Sequence, residues 1–160
     1  MKLGVYTLII EGIFSNMPEY SFMLKYGWGN GYVLLPYNHP LYGVDYDDLN
    51  IRVHGGLTFG SKFESNNFLK WVEDREFYGD VTSENFEKFN NYWMIGFDTN
   101  HFGDNSETCS KEYVISESDC MLDQCLDDEI KGMKKYKLNY IRNYKLKSIN
   151  ASVLAQSSKL

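Results

Sequence analysis

A chain of 160 residues with a hydrophobic share of 43% can bury one core and needs no second domain. Its net charge of −6 hides a division: residues 1–129 carry all 22 acidic side chains and 8 of the 16 basic ones, a balance of −14, while 130–160 carry the other 8 and no acid. No apolar run reaches the roughly 18 residues of a membrane helix, which excludes a spanning protein, and the odd set Cys109, Cys120 and Cys125 fits no zinc spacing and reads as free thiols in a reducing cytoplasm.

In chain order, Met1 to Ile10 is apolar until Glu11 and lacks a small-residue cleavage site, so it predicts a first strand and not a signal peptide. Residues 1–14 and 20–35 hold short apolar runs broken by glycine and by Pro18, and Gly31-Tyr32-Val33-Leu34-Leu35 is a strand stopped by Pro36. A turn-rich loop around His39-Pro40 follows. The alternation in Leu49-Asn50-Ile51-Arg52-Val53-His54 predicts a half-buried strand, Gly55-Gly56 a turn, and Leu57-Thr58-Phe59 a second extended piece.

Residues 61–90 are polar with scattered aromatics and read as a loop insertion holding at most one short strand. Asn91 to Asp98 is the most apolar run and predicts a central strand ending in the polar loop 99–105. From 110 to 129, Val114, Ser118, Met121, Leu122 and Cys125 mark one helix face, with Glu112, Glu117, Asp119 and Asp123 opposite. With an aromatic share of 16%, the sum is an α+β single domain: a mostly antiparallel sheet, a covering helix near 110–129, an acidic core domain at 1–129 and a basic extension at 130–160. Lysines interleave with tyrosines in the extension, a composition suited to single-stranded nucleic acid. Two short alternating strands with solvent-facing lysines are the favoured reading, because the acidic body would repel a polyanion.

The blocks Asn38-His39-Pro40-Leu41-Tyr42-Gly43, Val53-His54-Gly55-Gly56-Leu57-Thr58-Phe59 and Trp93-Met94-Ile95-Gly96-Phe97-Asp98-Thr99-Asn100-His101-Phe102-Gly103-Asp104, with the helix opening Glu112-Tyr113-Val114, resemble a family of small proteins encoded mainly by phages and prophages. The resemblance spans about residues 27–126. Thr99 stands where the family usually has cysteine, so no role for that cysteine carries over. The resemblance implies a phage accessory protein in the cytoplasm of the bacterial host, and it supplies no reaction.

All three histidines, His39, His54 and His101, fall at strand ends or in loops near glycine, where functional groups are displayed. Asp98, His101 and Asp104, spaced Asp-x-x-His-x-x-Asp, together with His54, offer imidazoles and carboxylates to a divalent metal, and His54, Asp98 and His101 are the first metal candidates. The same groups serve as general base and orienter without metal, or as turn caps and loop fasteners without chemistry. A ligand pocket would draw on His39, Arg52, His54, Gly55, Gly56, Thr58, Asp98, His101 and Asp104, with Gly55-Gly56 exposing N–H groups to a phosphate and Tyr37, Tyr42, Phe59, Trp93 or Phe102 stacking on a base.

The expected function is a phage anti-defence protein that binds and sequesters a small host-derived molecule of the nucleotide-signal class. The alternatives are a metal-dependent hydrolase or lyase using His54, Asp98 and His101, and an acidic inhibitor that engages a host defence protein. The expected partners are a small-molecule or nucleotide ligand, that host protein and, by analogy, further copies of the chain; a divalent metal is the candidate cofactor.

Overall fold

The computed structural model describes residues 4–12, 26–72, 75 and 77–126. The basic extension and residues 127–129 of the expected helix lie outside them, as does all of 13–25. Five strands form one antiparallel sheet: β1 (Tyr6–Glu11), β2 (Gly29–Leu35), β3 (Phe59–Lys62), β4 (Phe77–Gly79) and β5 (Trp93–Phe97), in the order β3-β5-β2-β1-β4. Helix α1 (Ser65–Trp71) follows β3, and α2 (Lys111–Leu126) follows β5. The protein is a single α+β domain. Among the described residues no helix is long and apolar enough to cross a membrane.

Both faces of the sheet are covered, which explains why its inner strands read as continuous apolar runs instead of alternating ones. Ile9, Val33, Leu35, Ile95 and Phe97 pack under Val114, Met121 and Cys125 of α2. Leu8, Ile10, Tyr32, Leu34 and Met94 pack on the other side against Phe63, Phe68, Val81 and Phe89. The closest approach of helix to sheet is at Gly31, where a Cβ would collide with Ser118 Oγ and the Phe97 ring. Ser118, fully buried, satisfies its hydroxyl by donating to Val114 O at 2.7 Å.

Two expectations are corrected. Leu49 to His54 is not a strand, and it pairs with none of the five strands of the sheet. It lies along α2, whose side chains take the place of a neighbouring strand: Gln124 accepts from Arg52 N and donates to Arg52 O, both at 2.8 Å, and Glu117 accepts from His54 N at 2.8 Å. Its alternation survives because Ile51 is buried and Leu49 and Val53 pack on the α2 core.

Residues 61–90 are more than a loop insertion. They contribute the end of β3, α1, β4 and a 3-10 turn at Phe86–Phe89 that together close the second core. Its tilted and edge-on ring pairs include Phe63–Phe68 at 4.9 Å and Phe68–Phe77 at 5.5 Å. Burying a ring such as Phe68 contributes about 1.5–3 kcal/mol, which orders a segment whose polar composition hides it.

Candidate functional site

Two loops and the first half of α2 meet on the α2 side of the sheet. The turn after Val53 delivers His54, the loop after β5 delivers His101 and Asp104, and α2 delivers Tyr113 and Glu117. Asp104 is the hub. Its carboxylate lies 2.9 and 3.1 Å from His54 Nε2, accepts from His101 N–H at 2.8 Å and lies 3.3 Å from His101 Nδ1. The opposite nitrogen of His54, Nδ1, lies 3.0 Å from Tyr113 Oη. The His54 ring meets those of His101 and Tyr113 edge-on, at 5.4 and 5.5 Å between centroids.

The partners define the protonation pattern. A carboxylate only accepts, so the proton of neutral His54 sits on Nε2 and faces Asp104, leaving Nδ1 to accept from the Tyr113 hydroxyl. Burial works to raise the Asp104 pKa, but the hydrogen bonds from His54 and His101 outweigh it and hold this carboxyl below its ordinary value. Tyr113 is pushed the other way, by burial first and then by the charges of Glu117 and Asp104, so it stays a phenol. Cys109 Sγ, 3.9 Å from His54 Nε2, is likewise raised by burial, so it stays a thiol.

The asymmetry of exposure matters as much as the contacts. Asp104 is 8% exposed, whereas the side chains of His54 and His101 are 19% and 36% exposed. The site therefore has a buried anionic floor and an imidazole rim open to solvent. Gly55 makes room for the rim: at φ +63° it takes a conformation L side chains rarely adopt, and a Cβ there would enter the His101 ring.

One ligand atom each from His54, His101 and Asp104 falls within 4.8 Å of the others. Ligands of a tetrahedral ion bound at about 2.0–2.1 Å stand roughly 3.3 Å apart, so the group reaches that geometry with small side-chain movements. Of the expected metal set His54 and His101 are brought together, and the carboxylate between them is Asp104. Asp98 instead accepts from Asn100 N at 2.9 Å in its own turn.

The other expected ligand-binding residues scatter. His39 is 1% exposed, with Nε2 donating to Cys125 O at 2.9 Å and Nδ1 accepting from Leu41 N at 3.2 Å. Arg52 is joined to Gln124 through its backbone, Thr58 N donates to Gly96 O at 2.9 Å, and Gly56 N donates to Val53 O at 3.0 Å. The three cysteines are free thiols.

Sequence reasoning missed Tyr113 and Glu117. The signal was present: Tyr113, Glu117 and Gln124, spaced four and seven apart, form a polar stripe beside the buried one. All three meet the segment 52–54. No protein-family model, curated protein or solved structure matches the chain.

Proposed function

We propose that the protein is a phage accessory factor holding one divalent transition-metal ion between His54, His101 and Asp104 and using it to hydrolyse a small host-derived ligand. The convergence of two imidazoles and one carboxylate within 4.8 Å, at loop ends on a rigid sheet, carries this reading. Three protein ligands leave a fourth position open, as catalytic and not structural zinc-class sites do. Such an ion, when bound, lowers the pKa of a coordinated water and polarises a phosphoryl or carbonyl oxygen.

The chain's own residues would then act as follows. Asp104 supplies the negative charge, and its low pKa keeps it ionised at neutral pH. His54 moves its ring proton from Nε2 to Nδ1 and donates it to Tyr113 Oη, the outer hydrogen bond that a metal-binding histidine needs. Glu117 fixes the His54 backbone.

The test is metal analysis of the purified full chain with calorimetric titration of zinc, manganese and nickel. One ion per chain is expected, lost in His101→Ala; a wild type that takes up none of them at micromolar concentration rejects the reading.

Sequestration without turnover is the second reading, favoured by a cleft of about 400 Å³ on the other face of the sheet. Phe59, Phe63, Phe68 and Met94 line it, together with the exposed Lys62, Lys70 and Glu64, two cations to one carboxylate. An apolar floor with a few charged groups suits a small planar anion. Incubation with a nucleotide panel should deplete a member that heating releases intact; an unchanged panel would exclude this reading.

A further inference from the structure

We propose that Phe102 is the recognition platform of the loop site, and that the site takes a planar aromatic ring carrying a phosphate, the chemistry of a nucleotide. The inference rests on the metal reading above and adds a substrate class to it. Phe102 is 109% exposed, while the other exposed large hydrophobics, Tyr37, Leu69 and Leu126, reach about half that. Full exposure sets its ring apart from the described aromatics that pack in pairs and clusters.

A lone exposed phenylalanine is ordinary on a protein surface. Its position sets this one apart. Phe102 and Gly103 form the turn between His101 and Asp104, two members of the three-residue cluster. That turn is closed twice, by Asp104 N donating to His101 O at 3.0 Å and by His101 N donating to Asp104 Oδ2 at 2.8 Å. Gly103 adopts φ +97°, the left-handed corner that lets so tight a turn close. The backbone under Phe102 is thus fixed by the groups that would hold the ion, and Phe102 follows the rim residue His101 directly in the chain.

The charge balance narrows the ligand further. The acidic body repels an anion at long range, so an anionic ligand gains a foothold only where a cation sits, and a transition-metal ion with an open position polarises a phosphoryl oxygen. A ring stacked on Phe102 adds a contact that does not depend on charge. Neither contact alone defines the ligand; the two side by side select a molecule that joins an aromatic ring to a phosphate.

AMP and ribose 5-phosphate, which differ by the adenine ring, test this by calorimetry on the metal-loaded full chain. The wild type should bind AMP about tenfold more tightly, the range of one base stacking on one aromatic ring. Phe102→Ala should weaken AMP about tenfold, leave ribose 5-phosphate unchanged and keep the full metal content, while Phe102→Trp should retain the preference. Equal affinity of the wild type for the two ligands, or an unchanged AMP affinity in metal-loaded Phe102→Ala, overturns the proposal alone. A wild type that takes up no ion overturns the metal reading and this proposal with it.

Discussion

A histidine meets α2 near each of its ends, and the two are opposites. Near the C-terminal end His39 is sealed in the core, with both ring nitrogens engaged by backbone, Cys125 O on one side and Leu41 N on the other. Near the N-terminal end His54 faces a carboxylate and a phenol, with a second imidazole beside it and a path to solvent. Backbone partners do not titrate, so His39 is a bolt between the loop 36–44 and the helix. The His54 ring instead meets side chains that carry chemistry of their own, a carboxylate and a phenol. One residue type in one fold thus divides into structure and chemistry according to what its two nitrogens touch.

The largest effect that separates the ends is expected from His39→Ala. It leaves a cavity and orphans a buried carbonyl and a buried N–H, so urea unfolding should show a loss of about 3 kcal/mol with metal uptake unchanged. His101→Ala should do the reverse, abolishing stoichiometric uptake while the urea midpoint barely moves, since its ring sits at the rim. Were both variants to lose stability equally, the division between bolt and centre would fail.

Tyr113→Phe removes only the outer hydrogen bond of His54 and should weaken metal affinity by about tenfold, read by competition with a chelator. The smallest effect is on pH. Because the folded Asp104 pKa is depressed, its contacts favour the folded state above the ordinary carboxylate value and are lost as pH falls through the lower, folded value. Asp104→Asn should therefore flatten the acid limb of the stability curve, read by urea unfolding across acid pH.

Strands β2 and β5 and helix α2 were legible because hydrophobic runs and a 3.6-residue period report burial directly. The pairing of 49–54 was not, since alternation says that one side is buried without saying whether a strand or a helix covers it. The second core was hidden because Phe63, Phe68, Phe77, Phe86 and Phe89 follow no single period and meet only through the fold. In the site, the loops bearing His54 and His101 were readable from their glycines. The choice between Asp98 and Asp104 was not, because both flank His101 at equal spacing and only the backbone path of the turn brings Asp104 back to it.

Thr99 sits at the root of that loop, with its hydroxyl donating to Gly29 O at 2.7 Å and accepting from Gly29 N at 3.3 Å, while its own carbonyl accepts from Gly27 N at 2.7 Å. The stitch carries the pairing of β2 and β5 past their last rungs, so the loop leaves the sheet from a fixed foot. Its tip, residue 102, is fully exposed. Foot and tip are therefore free to diverge independently: exchanges at the tip cost the fold almost nothing, and a lineage carrying this scaffold can revise the tip without having to relearn how to fold.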